Sequence, residues 1–222
     1  MKKSQWPDLF TSSMEIIEEV NTKYQLDIRN LSFGGGTALM IQIDHRESYD
    51  VDLFITDPQY LPYLNPFAQD FSLTLFPNEY DSLDYIYLKL SYDDIGEVDF
   101  ICSQPLTNQP TTQHNVLNKY TIEMETPAEI IAKKIVYRGS EIKHRDVFDI
   151  ACVCESHGMT YLEKNLIGFK EECNTALNVI NKSDKNLSKT IMKNLNAHEK
   201  FLNTYETAYD TTKSLLENVV NS

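Results

Sequence analysis

The sequence predicts an α+β protein: an N-terminal mixed-sheet core over residues 1–125 and a C-terminal helical lobe over residues 126–222. Three observations carry that expectation. Between residues 31 and 124 the apolar side chains fall in short alternating runs, the period of strands. From Thr126-Pro127 onward they recur at helical spacing to the end. A polar, turn-rich stretch over 105–118 separates the two patterns, and the 222-residue chain, 41% hydrophobic, is large enough to bury a core in each part.

Taken in order, the first element is an amphipathic helix after Pro7. Leu9, Phe10, Met14, Ile16, Ile17 and Val20 lie on one side, and Glu15, Glu18 and Glu19 on the other. Leu31-Ser32-Phe33 reads as a short strand running into Gly34-Gly35-Gly36, and Thr37–Ile43 as the helix that leaves this turn. Val51–Ile55 is a second strand, closed by Thr56-Asp57-Pro58; Phe71–Phe76, Tyr85–Leu90, Glu97–Ile101 and Tyr120–Met124 follow as strand candidates. Asn and Lys become frequent between Asn174 and Asn203, as on solvated helix faces.

Charge narrows the function. The formal net charge is −13, and residues 44–100 alone carry thirteen acidic against two basic side chains, a balance of −11. Such a surface argues against a protein that coats nucleic acid or anionic lipid. Four cysteines without a CxxC pair fit reduced thiols, and Cys152-Val153-Cys154 with His157 lacks the spacing of a zinc site. Met1-Lys2-Lys3 is basic, but Ser4-Gln5-Trp6-Pro7-Asp8 follows where a secretory leader needs an apolar run, and no window approaches a membrane span. A cytoplasmic protein with no membrane contact is expected.

The chemistry is concentrated between residues 33 and 99. Three of the seven glycines sit together before a helix, where backbone N–H groups and the positive dipole end suit a phosphate, with the Thr37 hydroxyl beside them. Asp50 and Asp52 are two apart on strand-like sequence and so present two carboxylates on one face. Asp99, flanked by Val98 and Phe100, supplies a third if its strand lies beside the first. Three carboxylates suit a pair of Mg²⁺ or Mn²⁺ ions and in-line phosphoryl displacement. His45 and Arg46 either approach the phosphates or cap the end of the preceding helix. The aromatics Tyr60, Tyr63, Phe67, Phe71 and Phe76 are read as core packing rather than base-stacking platforms.

Phe33-Gly34-Gly35-Gly36-Thr37-Ala38-Leu39 followed by His45-Arg46-Glu47-Ser48-Tyr49-Asp50-Val51-Asp52-Leu53-Phe54 resembles the signature of the AbiEii/AbiGii-type nucleotidyltransferase toxins, a branch of the polymerase-β-like superfamily. Lys134, Arg138 and Arg145-Asp146-Val147-Phe148-Asp149 resemble that family's Lys-to-Arg helix and its Arg-Asp-x-x-Asp motif. The resemblance implies a metal-dependent transfer of a nucleoside monophosphate from an NTP to RNA, notably the tRNA 3′ end, by a toxin with a separately encoded antitoxin. It implies Asp50, Asp52 and Asp99 as metal ligands and Gly35, Gly36, Thr37, Arg46, Ser48, Lys134 and Arg138 on the nucleotide. Lys134, chosen over Lys133 by register with Arg138, would balance phosphate charge; Asp146 or Asp149 would orient it or act as a base. The helical lobe would complete the active site, and RNA would approach the cations Lys133, Lys134, Arg138, Lys143 and Arg145. Two other readings stand beside this one: transfer to a small-molecule or protein hydroxyl, and a catalytically silent nucleotide-binding regulator.

Overall fold

The computed structural model describes residues 4–222, so the basic start Met1-Lys2-Lys3 lies outside the described residues. The chain forms two compact units. The first comprises the residues up to Ala38 with Ser48–Gln104 and Thr111–Glu125; the second comprises Leu39–Glu47, Pro105–Pro110 and Thr126–Ser222.

The first unit is a helix on a sheet. Helix α1 (Trp6–Tyr24) starts with Pro7 in its first turn and ends where Gln25 takes a left-handed conformation, φ 52°. Its buried row Leu9, Phe10, Ile16, Ile17 and Val20 is worth on the order of 1.5–3 kcal/mol per large side chain. Strand β1 (Leu31–Gly34) leads directly into α2 (Gly35–Ile43), and the division between the units falls inside that helix. Strands β2 (Val51–Ile55), β3 (Glu79–Leu83), β4 (Tyr87–Tyr92), β5 (Gly96–Cys102), β6 (Thr111–Val116) and β7 (Tyr120–Glu125) complete a seven-stranded sheet of order β3-β4-β5-β2-β1-β7-β6. The β2–β5 and β1–β7 pairs are parallel and the others antiparallel, which makes the sheet mixed. Phe10 packs against Phe33 of β1 and Tyr120 of β7 at ring separations of 4.9 and 5.6 Å.

Three sequence expectations change here. Phe71–Phe76 is not a strand, because α1 side chains satisfy its backbone: Glu15 accepts from the Thr74 N–H at 2.8 Å, and Ser12 Oγ donates to the Leu75 carbonyl at 3.0 Å. Strands β3 and β6 stand where none was expected; both are sheet edges, and β3 is exposed at all five residues, so neither carries the alternation that marks a half-buried strand. Phe71 is buried, but Tyr63, Phe67 and Phe76 are exposed.

The second unit contains helices α3 (Pro127–Arg138), α4 (His144–His157), α5 (Met159–Leu166), α6 (Lys170–Lys182), α7 (Lys185–Lys193) and α8 (Ala208–Asn221). Thr126 caps α3, its hydroxyl accepting from the Glu129 N–H, and Pro127 occupies the first turn. The fully buried Glu129 carboxylate in turn accepts the N–H groups of Leu106 and Thr107 and so fixes residues 105–110 to α3. Buried hydroxyls join the helices, Thr212 to the Val147 carbonyl at 3.0 Å and Tyr209 to the Ile180 carbonyl at 2.8 Å. All four cysteines are free, and burial pushes the Cys154 and Cys173 thiols up to about 12, so they pack as small hydrophobes. Among the described residues no helix is long and apolar enough to cross a membrane.

Candidate active site

The parallel pairing of β2 with β5 sets Asp52 directly beside Asp99, with Val51 opposite Val98 and Leu53 opposite Phe100. Those four apolar residues are buried and hold the two strands in register, so the carboxylates share one face. Burial first, and then repulsion from Asp52, push the Asp99 carboxyl up to about 6 despite the nearby Lys89 ammonium. Asp99 divides its oxygens unequally. Oδ2 lies 3.3 Å from Lys89 Nζ, whereas the buried Oδ1 has no hydrogen-bond partner among the described residues. Lys89 is gripped more closely by Glu97.

Asp50 stands just before β2 and is turned differently: its Oδ1 accepts from the Glu97 N–H at 3.2 Å. Its carbonyl accepts from the fully buried Thr37 hydroxyl, which ties the start of α2 to the start of β2. Among the described residues no group of three or more His, Cys, Asp or Glu side chains converges to hold a metal ion. What the geometry assembles is the Asp52–Asp99 pair. Its all-oxygen donors, with one buried acceptor lacking a partner, fit a hard divalent cation.

The glycines are needed for close approach as much as for turning. Gly34 pairs with Asp52 across β1 and β2, and a Cβ there would overlap the Glu125 carboxylate and the Phe54 ring. Gly35, at φ 67°, opens α2, and a Cβ on it would overlap the Asp52 carboxylate. The expected free-standing glycine turn is therefore absorbed into the strand and the helix. Gly35 and Gly36 occupy the first turn of α2, where N–H groups have no intrahelical partner. Ser48 is buried, and its carbonyl accepts from the Ser4 hydroxyl at 2.6 Å.

The second unit holds the remaining sequence-predicted residues in one ionic network. Asp149, wholly buried, accepts Arg46 through both oxygens at 2.7 and 3.0 Å, Lys134 Nζ at 2.9 Å and His45 Nε2 at 3.0 Å. Asp146, also wholly buried, accepts Lys134 at 2.7 Å and Arg138 at 2.8 Å. Burial alone would raise both carboxyls, but the Lys134, Arg46 and Arg138 charges outweigh it, and Asp149 is held well below the usual carboxylate range. Burial lowers His45 despite Asp149, which keeps the ring neutral. A neutral ring beside a carboxylate donates from Nε2. Lys133 and Lys134 are buried, while Lys143 and Arg145 are exposed, so the cations expected to meet RNA do not form one surface cluster.

Sequence reasoning missed Lys89 and Glu97. The signal was available in the three-residue turn Asp93-Asp94-Ile95: counting back from the Tyr92–Gly96 pair puts Lys89 opposite Asp99.

The family model "Nucleotidyl transferase AbiEii toxin, Type IV TA system" matches residues 25–211. The chain belongs to the AbiEii family of nucleotidyltransferase toxins. Membership makes it a nucleotidyltransferase, an enzyme class that uses an NTP and a divalent metal, and the toxin side of a toxin–antitoxin pair. Among solved structures, MenT4, a nucleotidyltransferase toxin from Mycobacterium tuberculosis H37Rv, is similar at 13% identity over 96% of this chain and 84% of that one, with a TM-score of 0.52. At that identity the likeness speaks for the fold alone. JHP933 from Helicobacter pylori is similar at 14% identity over 99% of this chain and 94% of that one, with a TM-score of 0.49. Among curated proteins there is no match. The AbiEii segment includes the glycines, the Asp52–Asp99 pair and the whole Asp146–Asp149 network.

Proposed function

We propose that this AbiEii toxin acts in the cytoplasm as a Mg²⁺-dependent nucleotidyltransferase that moves a nucleoside monophosphate from an NTP to RNA, with the tRNA 3′ end as acceptor. The observation that supports it best is the in-register Asp52–Asp99 pair, pressed against Gly35 and left with an unpartnered buried oxygen. In this reading Asp52 and Asp99, with Asp50, hold the divalent cation, which when bound supplies Lewis-acid stabilisation of charge at the reacting phosphate. The N–H groups of Gly35 and Gly36 bind phosphate oxygens, and Thr37 keeps that turn aligned with Asp50. Asp146 and Asp149 are positioning residues that fix Lys134, Arg46 and Arg138; Lys134 balances phosphate charge during transfer.

The test is incubation with each labelled NTP, Mg²⁺ and bulk RNA, beside an Asp50→Asn, Asp52→Asn double variant. Label is expected in the tRNA fraction with the wild-type protein and not with the variant. Equal labelling by both would sink the assignment. Label confined to a small-molecule or protein fraction would redirect it to another acceptor, and retained NTP binding without turnover would reduce it to a regulator.

A further inference from the structure

Lys89 is the only Lys or Arg between residues 47 and 100, a stretch that otherwise carries twelve Asp and Glu. The fold delivers this single cation to one spot. The β4–β5 hairpin register sets Lys89 opposite Asp99, and Glu97, two residues before Asp99, projects on the same face. Nζ accordingly has two anions within reach, Asp99 Oδ2 at 3.3 Å and the closer Glu97 carboxylate.

We propose that Lys89 is a tethered stand-in cation: it offsets the Asp52–Asp99 pair in the metal-free protein and withdraws onto Glu97 when a divalent ion binds. This inference rests on the metal-site reading above and adds a residue that sets the site's affinity. The physical case is a competition between charges. Two adjacent carboxylates need a positive charge, and the β-hairpin supplies one without a ligand from solution. A divalent ion at the pair must then share Asp99 with an ammonium a few ångströms away, and the like charges repel. Glu97 makes withdrawal inexpensive, because Lys89 already bonds to it and keeps one full counter-charge after leaving Asp99. Side-chain exposures of 31% for Lys89 and 40% for Glu97 leave room for that movement.

The two partners therefore have opposite effects on metal affinity. Lys89→Met removes the competitor and is expected to tighten Mn²⁺ binding about tenfold, using water-like screening for a half-exposed pair. Glu97→Gln removes the alternative anion, leaves Lys89 on Asp99, and is expected to weaken Mn²⁺ binding several-fold. Calorimetric titration of Mn²⁺ into the full-length apoprotein reads both without any turnover. The Tm of each variant in chelator, and its rise on adding Mn²⁺, controls for folding: Lys89→Met should start lower than wild type and gain more.

Affinities that move in the same direction, or that stay within twofold of wild type, overturn the proposal. A downward shift in both would make the pair a brace for Asp99, and lower Tm values with unchanged titrations would make it a structural ion pair. An Asp52→Asn, Asp99→Asn control separates the two levels of inference. If wild type and control bind Mn²⁺ alike, the metal-site reading falls and takes this proposal with it; if only the control loses binding, the Lys89 and Glu97 results judge the proposal alone.

Discussion

Asp99 sits on a strand whose neighbours Val98 and Phe100 are buried, so the backbone cannot carry its carboxylate away from Asp52. Burial first, and then the adjacent Asp52 charge, disfavour its ionised form and raise Asp99 to about 6. The sign follows: a raised folded value means the ionised carboxylate destabilises the folded state near neutrality. Asp99→Asn is therefore expected to stabilise the chelated protein at pH 7 by about 1–3 kcal/mol, allowing for partial exposure, and to abolish the gain that Mn²⁺ or Mg²⁺ gives the wild type. Urea unfolding with chelator and with metal would measure both effects. A variant less stable than wild type in chelator would mean that the Lys89–Asp99 contact outweighs the Asp52 repulsion. Gly35 belongs to the same balance, because only a residue without Cβ lets the Asp52 carboxylate rest against the start of α2.

At the scale of elements, α3 and α4 meet through charge as well as apolar packing. Lys134 lies between Asp146 and Asp149, and Asp149 also holds Arg46 with both oxygens. Removing one partner of such a network strands buried charge, so Asp149→Asn is expected to cost about 3–5 kcal/mol at pH 7. The depressed Asp149 value gives the pH dependence its sign: the stabilisation is complete above the unfolded carboxyl's value of about 4 and is lost as pH falls through the folded value. The stability gap between wild type and variant, from urea melts at successive pH values, should thus be flat from pH 5 to 7 and close only in stronger acid.

This network also marks the limit of what the sequence made legible. Val51–Ile55 and the Thr126-Pro127 helix start could be read because each has a local signature in alternation or capping, whereas Asp99 could be named as a carboxylate on a strand but its register with Asp52 came only from the β2–β5 pairing. The edge strands β3 and β6 could not, because a strand with little buried surface carries no period. Nor could the partners of His45 and Arg46, which lie more than a hundred residues away at Asp149, a separation over which spacing arguments say nothing.

For the whole molecule, the acidic excess has two parts with different consequences. Asp50, Asp52, Glu97 and Asp99 are half-buried and engaged in the candidate site, whereas Asp70, Glu79, Asp81, Asp84, Asp93 and Asp94 are exposed. The exposed set sums into a long-range field that repels polyanions before any contact forms, and it does so without bearing on the fold. With RNA as the acceptor, as proposed above, an enzyme carrying this field should meet it slowly at low ionic strength and gain, rather than lose, when salt first screens the repulsion. Reversing Glu79 and Asp84 to lysine, both exposed on or beside the β3 edge, should raise the initial rate of tRNA labelling at about 20 mM salt several-fold while leaving the rate at about 300 mM salt nearly unchanged, since the Debye length then falls well below 10 Å. Labelling rates across a salt series would decide it. A rate increase that persists at high salt would mean that Glu79 and Asp84 touch the acceptor, and no increase at low salt would mean that encounter with RNA does not limit the reaction.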